Sequence, residues 1–270
     1  MVKREEIVKK VFEKKGIIDA HTHIGIHLRN YVNFAFPYCL SVEDLIVRMD
    51  YLGISFSVVF PMDSTYYAAS RQPSGKVRIN TKLSKFPYEI ENLSLLKEIY
   101  EIFPEYSERV LPFLLFDPSR KTKKQAKFME RLYEKYPVFG LKTIPSYIQS
   151  YVRDIEKKGK PILDFVRKHN LPITFHCAYY KKDPWASVFD IIDFAERNKD
   201  IRICIAHTAR FVKSVLDRAS SLKNCFVDLS AFYIHCVLAS QNSPVIPPED
   251  ERFPADYGKP EMVLKKLVEE

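Results

Sequence analysis

The residues best suited to chemistry lie near the N-terminus, in Ile17-Ile18-Asp19-Ala20-His21-Thr22-His23. On an extended strand, side chains at i and i+2 share a face. Asp19, His21 and His23 therefore point one way, and Ile18, Ala20 and Thr22 the other. Two imidazoles so spaced at a strand end can reach one cation at about 2.0–2.1 Å per Zn–N bond. An HxH pair alone is equally compatible with a hydrogen-bonded polar core. Histidine also closes two further apolar runs, Pro172-Ile173-Thr174-Phe175-His176 and Ile203-Cys204-Ile205-Ala206-His207. One histidine ending a strand is commonly a hydrogen-bonded core residue. Three strands delivering four imidazoles to one end need a shared polar partner, because an unpaired buried polar group is costly. A metal ion or a polar substrate supplies that partner. Neutral imidazoles suit zinc, with other divalent transition metals as alternatives.

The elements that must position these residues are legible as seven short apolar runs: 16–23, 54–61, 110–117, 138–144, 171–177, 201–207 and 225–230. Between them, residues 42–51, 92–103, 123–136, 159–170, 188–198 and 211–220 carry apolar side chains at helical spacing. Near-continuous apolar strands alternating with amphipathic helices predict parallel βα units. The fold class is therefore α/β, with a (β/α)8 barrel expected and a doubly wound sheet as the alternative. No GxGxxG follows any strand, which argues against a nucleotide-binding sheet. Two long stretches, 62–90 and 232–259, read as irregular. Both follow the carboxyl ends of strands, where barrel enzymes build their sites.

At 270 residues, the chain is expected to form one domain over 1–270. It is 46% hydrophobic and 28% charged, as globular proteins are. The net charge of +8 raises nucleic acid as a partner. The lysines are scattered and interleaved with glutamate, so a solvated surface is expected and nucleic acid is not. The excess charge still favours anionic small molecules through long-range steering. No apolar run is long enough to span a membrane, and the N-terminus lacks the pattern of a signal peptide. Five cysteines without a CxxC pair read as buried thiols, which together place the protein in the cytoplasm. The expected partner is a small-molecule substrate, and nothing in the sequence excludes a homo-oligomer.

The IDAHTH start, GLKTIP at residues 140–145, PITFHC, IAHTAR and FVDLSA occur in an order that resembles the amidohydrolase superfamily. They are most similar to its amidohydrolase-related branch, which includes aminocarboxymuconate semialdehyde decarboxylase, aromatic-acid decarboxylases and pyrone dicarboxylate lactonase. The resemblance covers about residue 16 onward. It implies a distorted TIM barrel with a divalent metal at the carboxyl end of the strands. It also implies His21, His23 and His176 as metal ligands. His207 would be the acid–base or substrate-polarising residue, or a ligand of a second metal. Lys142 has two readings. In binuclear members the corresponding lysine is carbamylated and bridges two metals. Here an unmodified Lys142 pairing a substrate carboxylate is expected, with structural pairing as the alternative. Asp228 and Ser230 share one parity and would line the pocket or hydrogen-bond structurally. His27 is expected at the surface, and His169 and His235 are expected to be structural or exposed.

The chain departs from the family pattern at its end. The superfamily places a metal-binding aspartate on the eighth strand, whereas here the sequence ends with the helix-like segment 261–270. Asp256 stands upstream in a Pro-rich loop and is a poor substitute. The expectation is a barrel lacking its eighth strand, with a C-terminal portion missing. The function implied is that of a metal-dependent hydrolase or non-oxidative decarboxylase acting on a small cyclic or carboxylated substrate. The alternative is a non-catalytic barrel fragment that binds metal or a partner.

Overall fold

The structure, a computed structural model, describes residues 3–14, 16–26, 39–62, 66–69 and 77–269. Seven parallel strands form its frame: β1 (Ile17–Ile26), β2 (Ile54–Pro61), β3 (Val110–Leu115), β4 (Gly140–Thr143), β5 (Ile173–Phe175), β6 (Ile203–Ile205) and β7 (Cys225–Val227). Each pairs with its sequence neighbour, so the sheet runs from β1 to β7 in sequence order. The expected α/β barrel architecture is present as an open, curled sheet. No eighth parallel strand occurs among the described residues. A two-residue segment, Cys39–Leu40, pairs antiparallel with Gly25 and Ile26 at the top of β1.

Strand alternation divides the core into two. Outward side chains such as Val59, Leu114, Leu141, Ile173 and Ile205 pack under the surrounding helices. These are α2 (Val42–Leu52), α3 (Glu89–Lys97), α4 (Thr122–Lys135), α5 (Lys160–Lys168), α6 (Val188–Arg197) and α7 (Lys213–Ser220). Inward side chains, including Phe56, Phe60, Leu111 and Phe113, form a second cluster beneath the histidines. Ile7 of an N-terminal helix, α1 (Arg4–Glu13), closes this cluster from below. The polar inward residues are thereby left at the carboxyl ends. Local signals set the helix boundaries. Ser41 Oγ accepts the Asp44 N–H while the Asp44 carboxylate accepts the Ser41 N–H, a reciprocal cap. The helix stops at Gly53, whose φ of 68° few other residues adopt without strain.

Two sequence readings are corrected. Residues 232–259 are not irregular throughout, because Phe232–Ser240 forms helix α8. Its run IHCVLA is apolar on every face, so it carries no helical period to detect. Within 62–90, Ala68–Ala69 and Arg78–Ile79 pair as a short antiparallel ladder, and α3 begins at Glu89 rather than at residue 92. Residues 63–65 and 70–76 of this stretch, and His27, lie outside the described residues. The terminal helix, α9, spans Pro260–Glu269. No helix is long and apolar enough to cross a membrane among the described residues.

The open seam between β1 and β7 has a visible consequence. Ile17 is 60% exposed and Phe226 55% exposed, with Ile18, Val227 and Leu229 also well exposed. Elsewhere the strands are tightly covered. At Gly140 an added Cβ would lie 2.3 Å from the Phe113 ring, so only hydrogen fits. Gly140→Ala should therefore lower unfolding free energy by about 1–3 kcal/mol, the range for overpacking. Adding Phe113→Leu should recover much of that loss. Urea titration of both variants checks this, and an unchanged midpoint for Gly140→Ala would show that the ring does not abut β4.

Candidate metal centre

The strand ends bring four imidazoles into a row. His21 and His23 come from β1, His176 follows β5 and His207 follows β6. Ring centroids of His21 and His23 are 5.4 Å apart, those of His21 and His207 5.5 Å, and those of His207 and His176 4.8 Å. Beneath them lies Lys142, fully buried on β4, with its Nζ 5.0 Å from the centre of the Phe60 ring. Its ammonium donates to His21 Nε2 at 3.4 Å. Asp228, just past β7, approaches from the other side of the seam.

Asp228 organises the row. Its Oδ2 accepts the His21 Nδ1–H at 2.7 Å. Its Oδ1 accepts the His207 backbone N–H at 2.9 Å and the Ser230 N–H at 3.0 Å. The Ser230 hydroxyl donates to the same oxygen at 2.5 Å. With its proton committed there, Ser230 Oγ accepts from His207 Nδ1–H at 2.9 Å. The lone pair of His207 is then on Nε2, which accepts the His176 Nδ1–H at 2.9 Å. His23 Nδ1–H donates to the Pro61 carbonyl at 2.9 Å. The network thus assigns one tautomer to His21, His23 and His176, with Nδ1 protonated and the lone pair on Nε2.

Electrostatics hold these states. Burial, then the nearby Lys142 charge, lowers the His21 pKa against the opposing pull of Asp228. Burial, with the Arg210 and Lys142 charges adding to it, pushes His207 well below the ordinary imidazole value. His176 is depressed in the same way, chiefly by burial. Burial would raise the Asp228 pKa, but the His21 and Ser230 hydrogen bonds and Lys142 outweigh it, so the carboxylate is held well below its usual range. Burial brings Lys142 down to about 8, with Asp228 resisting the shift. The row is neutral imidazole between the Asp228 anion and two cations, Arg210 and a weakened Lys142.

The turn carrying His207 is unusual. His207 through Phe211 are five consecutive residues with φ between 49° and 62°, none of them glycine. Left-handed backbone is unfavourable by roughly 1–2 kcal/mol per L-residue, and such strain concentrates at functional sites. The turn aims His207 at His176 and turns Arg210 inward. Arg210 donates from Nε to the Cys177 carbonyl at 2.9 Å and from Nη1 to His235 Nε2 at 2.5 Å.

The structure therefore brings His21, His23, His176, His207 and Lys142 together, with Asp228 and Ser230 beside them. Asp228 proves to be the hub of the network. Sequence reasoning missed Arg210, whose only signal was its place three residues beyond His207. His235 is buried against Arg210, its ring 5.1 Å from His207, and burial pushes its pKa down to about 3. His169 is structural, bonded to Glu130 and packed 3.9 Å from the Tyr133 ring centre. The donor set fits a divalent metal by its chemistry. Ligating imidazoles characteristically donate their second N–H to a carboxylate, carbonyl or other outer partner, as all three do here. As the side chains stand, no three His, Cys, Asp or Glu groups among the described residues converge to hold an ion. Lys142 occupies the approach to His21 Nε2.

A family model described as Amidohydrolase matches residues 18–263. No curated protein sequence matches the chain. Solved structures similar to it include 5-carboxyvanillate decarboxylase from Novosphingobium aromaticivorans, complexed with manganese and 4-hydroxy-3-methoxy-5-nitrobenzoic acid. That pair has a TM-score of 0.56 at 11% identity, covering 93% of this chain and 90% of that one. A dihydroxybenzoic acid decarboxylase from a Polaromonas species, with manganese and 2-nitroresorcinol, gives 0.54 at 11%, covering 86% and 84%. A putative 2-pyrone-4,6-dicarboxylic acid hydrolase from Pseudomonas putida gives 0.53 at 13%, covering 94% and 91%. At these identities the likeness is one of fold.

The depressed imidazoles predict a pH dependence in the metal-free protein. Unfolded histidines take up protons near pH 6.5, while His21, His176, His207 and His235 resist doing so in the fold. The unfolded state binds more protons below that pH, so stability must fall as pH drops from about 6.5. The slope should approach about 1.4 kcal/mol per pH unit for each imidazole still neutral. Urea titrations from pH 7 to pH 5 measure it. A flat profile would mean that the rings are solvated.

Proposed function

Because the chain belongs to the amidohydrolase family, we propose that residues 1–270 form one catalytic domain, a metal-dependent hydrolase or non-oxidative decarboxylase for small carboxylated substrates. The observation that carries this reading is the shared tautomer of His21, His23 and His176. Each Nδ1–H is committed to an acceptor, Asp228, Pro61 or His207, which puts the lone pair on Nε2. Those three nitrogens would hold a divalent cation, and three neutral imidazoles suit zinc. Manganese stands in the two decarboxylases named above. Once bound, such a metal lowers the pKa of a coordinated water toward ~7 or polarises a carbonyl.

The chain's own residues do the rest. Asp228 fixes the His21 ring and keeps its proton off Nε2. His207 handles the proton: when its Nε2 exchanges His176 for substrate, a proton gained there is stabilised through Ser230 by the Asp228 carboxylate. Lys142 and Arg210 are the cations facing this space, and a substrate carboxylate satisfies both. Lys142 acts here unmodified. The structural relatives are described with carboxylated or nitro-aromatic molecules, which supports an anionic cyclic substrate. Cys177, Cys204, Cys225 and Cys236 are free thiols, which supports a cytoplasmic location. A non-catalytic reading draws support from the ungrouped ligands, and turnover separates the two.

Elemental analysis of protein reconstituted with zinc or manganese should find a stoichiometric metal, and His21→Ala with His23→Ala should remove it. Assays with 2-pyrone-4,6-dicarboxylate and 5-carboxyvanillate test turnover. Asp228→Asn should weaken metal affinity or activity by about 10–100-fold, as loss of an outer partner does. Metal content that ignores both histidine substitutions would overturn the assignment.

A further inference from the structure

A cavity of about 200 Å³ lies behind the row of histidines, between the tops of β1 and β2 and helix α3. Its apolar walls are Ile24, Pro61, Met62 and Leu95, and its acidic groups are Glu91 and Glu98. Glu91 is 5% exposed. Its Oε1 accepts the Tyr66 N–H at 2.8 Å. Its Oε2 is buried with no hydrogen-bond partner. A carboxylate oxygen left unsatisfied in the interior is strongly destabilising. Glu98 stands seven residues further on, where α3 passes into a π-helical turn, Glu98–Ile102. Such turns are rare and recur at functional sites. Glu98 Oε1 accepts the Val42 N–H at 2.8 Å.

We propose that this cavity binds a short aliphatic diammonium, one ammonium bonded to Glu91 Oε2 and the other to Glu98, with the methylene stem against Ile24 and Leu95. Two acids seven residues apart on a helix are separated by about 10 Å of rise, so they address two charges more readily than one. A bare divalent cation fits less well, because hard cations need six or more converging oxygens. No three acidic or ligating side chains among the described residues provide such a cluster. The apolar walls, useless to a hydrated ion, suit a methylene stem. Burial raises the pKa of both acids, that of Glu91 to about 7, and a cation bound beside them would oppose that shift. The protein as a whole carries +8, so nothing but these local acids attracts a dication. The proposal does not rest on the catalytic reading.

Calorimetry with 1,4-diaminobutane on the full chain tests it. Saturable binding is expected, with the dissociation constant raised tenfold or more in Glu91→Gln and in Glu98→Gln. Glu89→Gln, which alters a neighbour bonded to Lys85 rather than to the cavity, should bind as the unaltered protein does. On the unaltered protein, 1,4-butanediol and magnesium chloride should not bind at the same concentrations. No binding of the diamine, equal binding by Glu91→Gln, or binding of the diol or magnesium as tight as the diamine would each overturn the proposal.

Discussion

The bond between the Asp228 carboxylate and His21 joins the two free edges of the sheet and at the same time sets the protonation of the site. Strands β1 and β7 share no backbone ladder, so nothing in the sheet itself ties them. The 2.7 Å contact from His21 Nδ1 to Asp228 Oδ2 spans the seam. A carboxylate this buried is tolerated only because donors surround it: two backbone N–H groups, a hydroxyl and an imidazole. Each donor also fixes something else. His21 and His207 acquire defined tautomers, and the left-handed turn after β6 is anchored through the His207 N–H. Fold closure and site electrostatics are thus one interaction.

Among the described residues, the remaining length of the seam has no such bridge. Below Asp19, both edges present unpaired backbone and apolar side chains to solvent, including Ile17, Ile18, Phe226 and Val227. Exposed parallel edges of this kind invite pairing with another strand. The amino-terminal mouth is not left open, because Ile7 of α1 plugs the aromatic cluster beneath Lys142. The seam therefore exposes the sheet's edges without flooding the floor of the site. Lys142 accordingly remains dry, which is why its affinity for a proton is weakened.

How much of this was legible in the sequence follows from the range of each interaction. Strands β1 to β7 announced themselves because a buried parallel strand must be apolar over its length, and the HxH alternation placed His21 and His23 on the inner face. The histidines closing β5 and β6 were readable for the same local reason. The absence of an eighth parallel strand among the described residues agrees with the helix-like spacing of 261–270. Asp228 as hub was not, since its partner His21 is 207 residues away and FVDLSA contains no hint of it. The turn at His207–Phe211 was hidden as well, because five positive φ values without a glycine are imposed by tertiary contacts, not by local preference. Helix α8 was lost to the opposite problem, an apolar run with no polar face.

The charge balance of the site explains which ligands it can favour. Around the histidine row stand two acids, Asp228 and Asp19, and both already accept from protein donors: Asp228 from His21, His207 and Ser230, Asp19 from the His21 N–H and the Thr22 hydroxyl. Facing the same space are two cationic side chains, Lys142 and Arg210, and neither has a carboxylate within ion-pair distance among the described residues. Arg210 instead donates to a carbonyl and to a neutral imidazole. A dication placed on the imidazoles would increase this positive excess further. Screening by water is weak at such burial, so on the proposed reading an anion entering with the substrate would meet the excess. A neutral substrate would leave the two cations uncompensated, whereas a carboxylate neutralises them and is held by donors already oriented. On the proposed reading, a preference for acids would follow because the acids of the site are already engaged by protein donors.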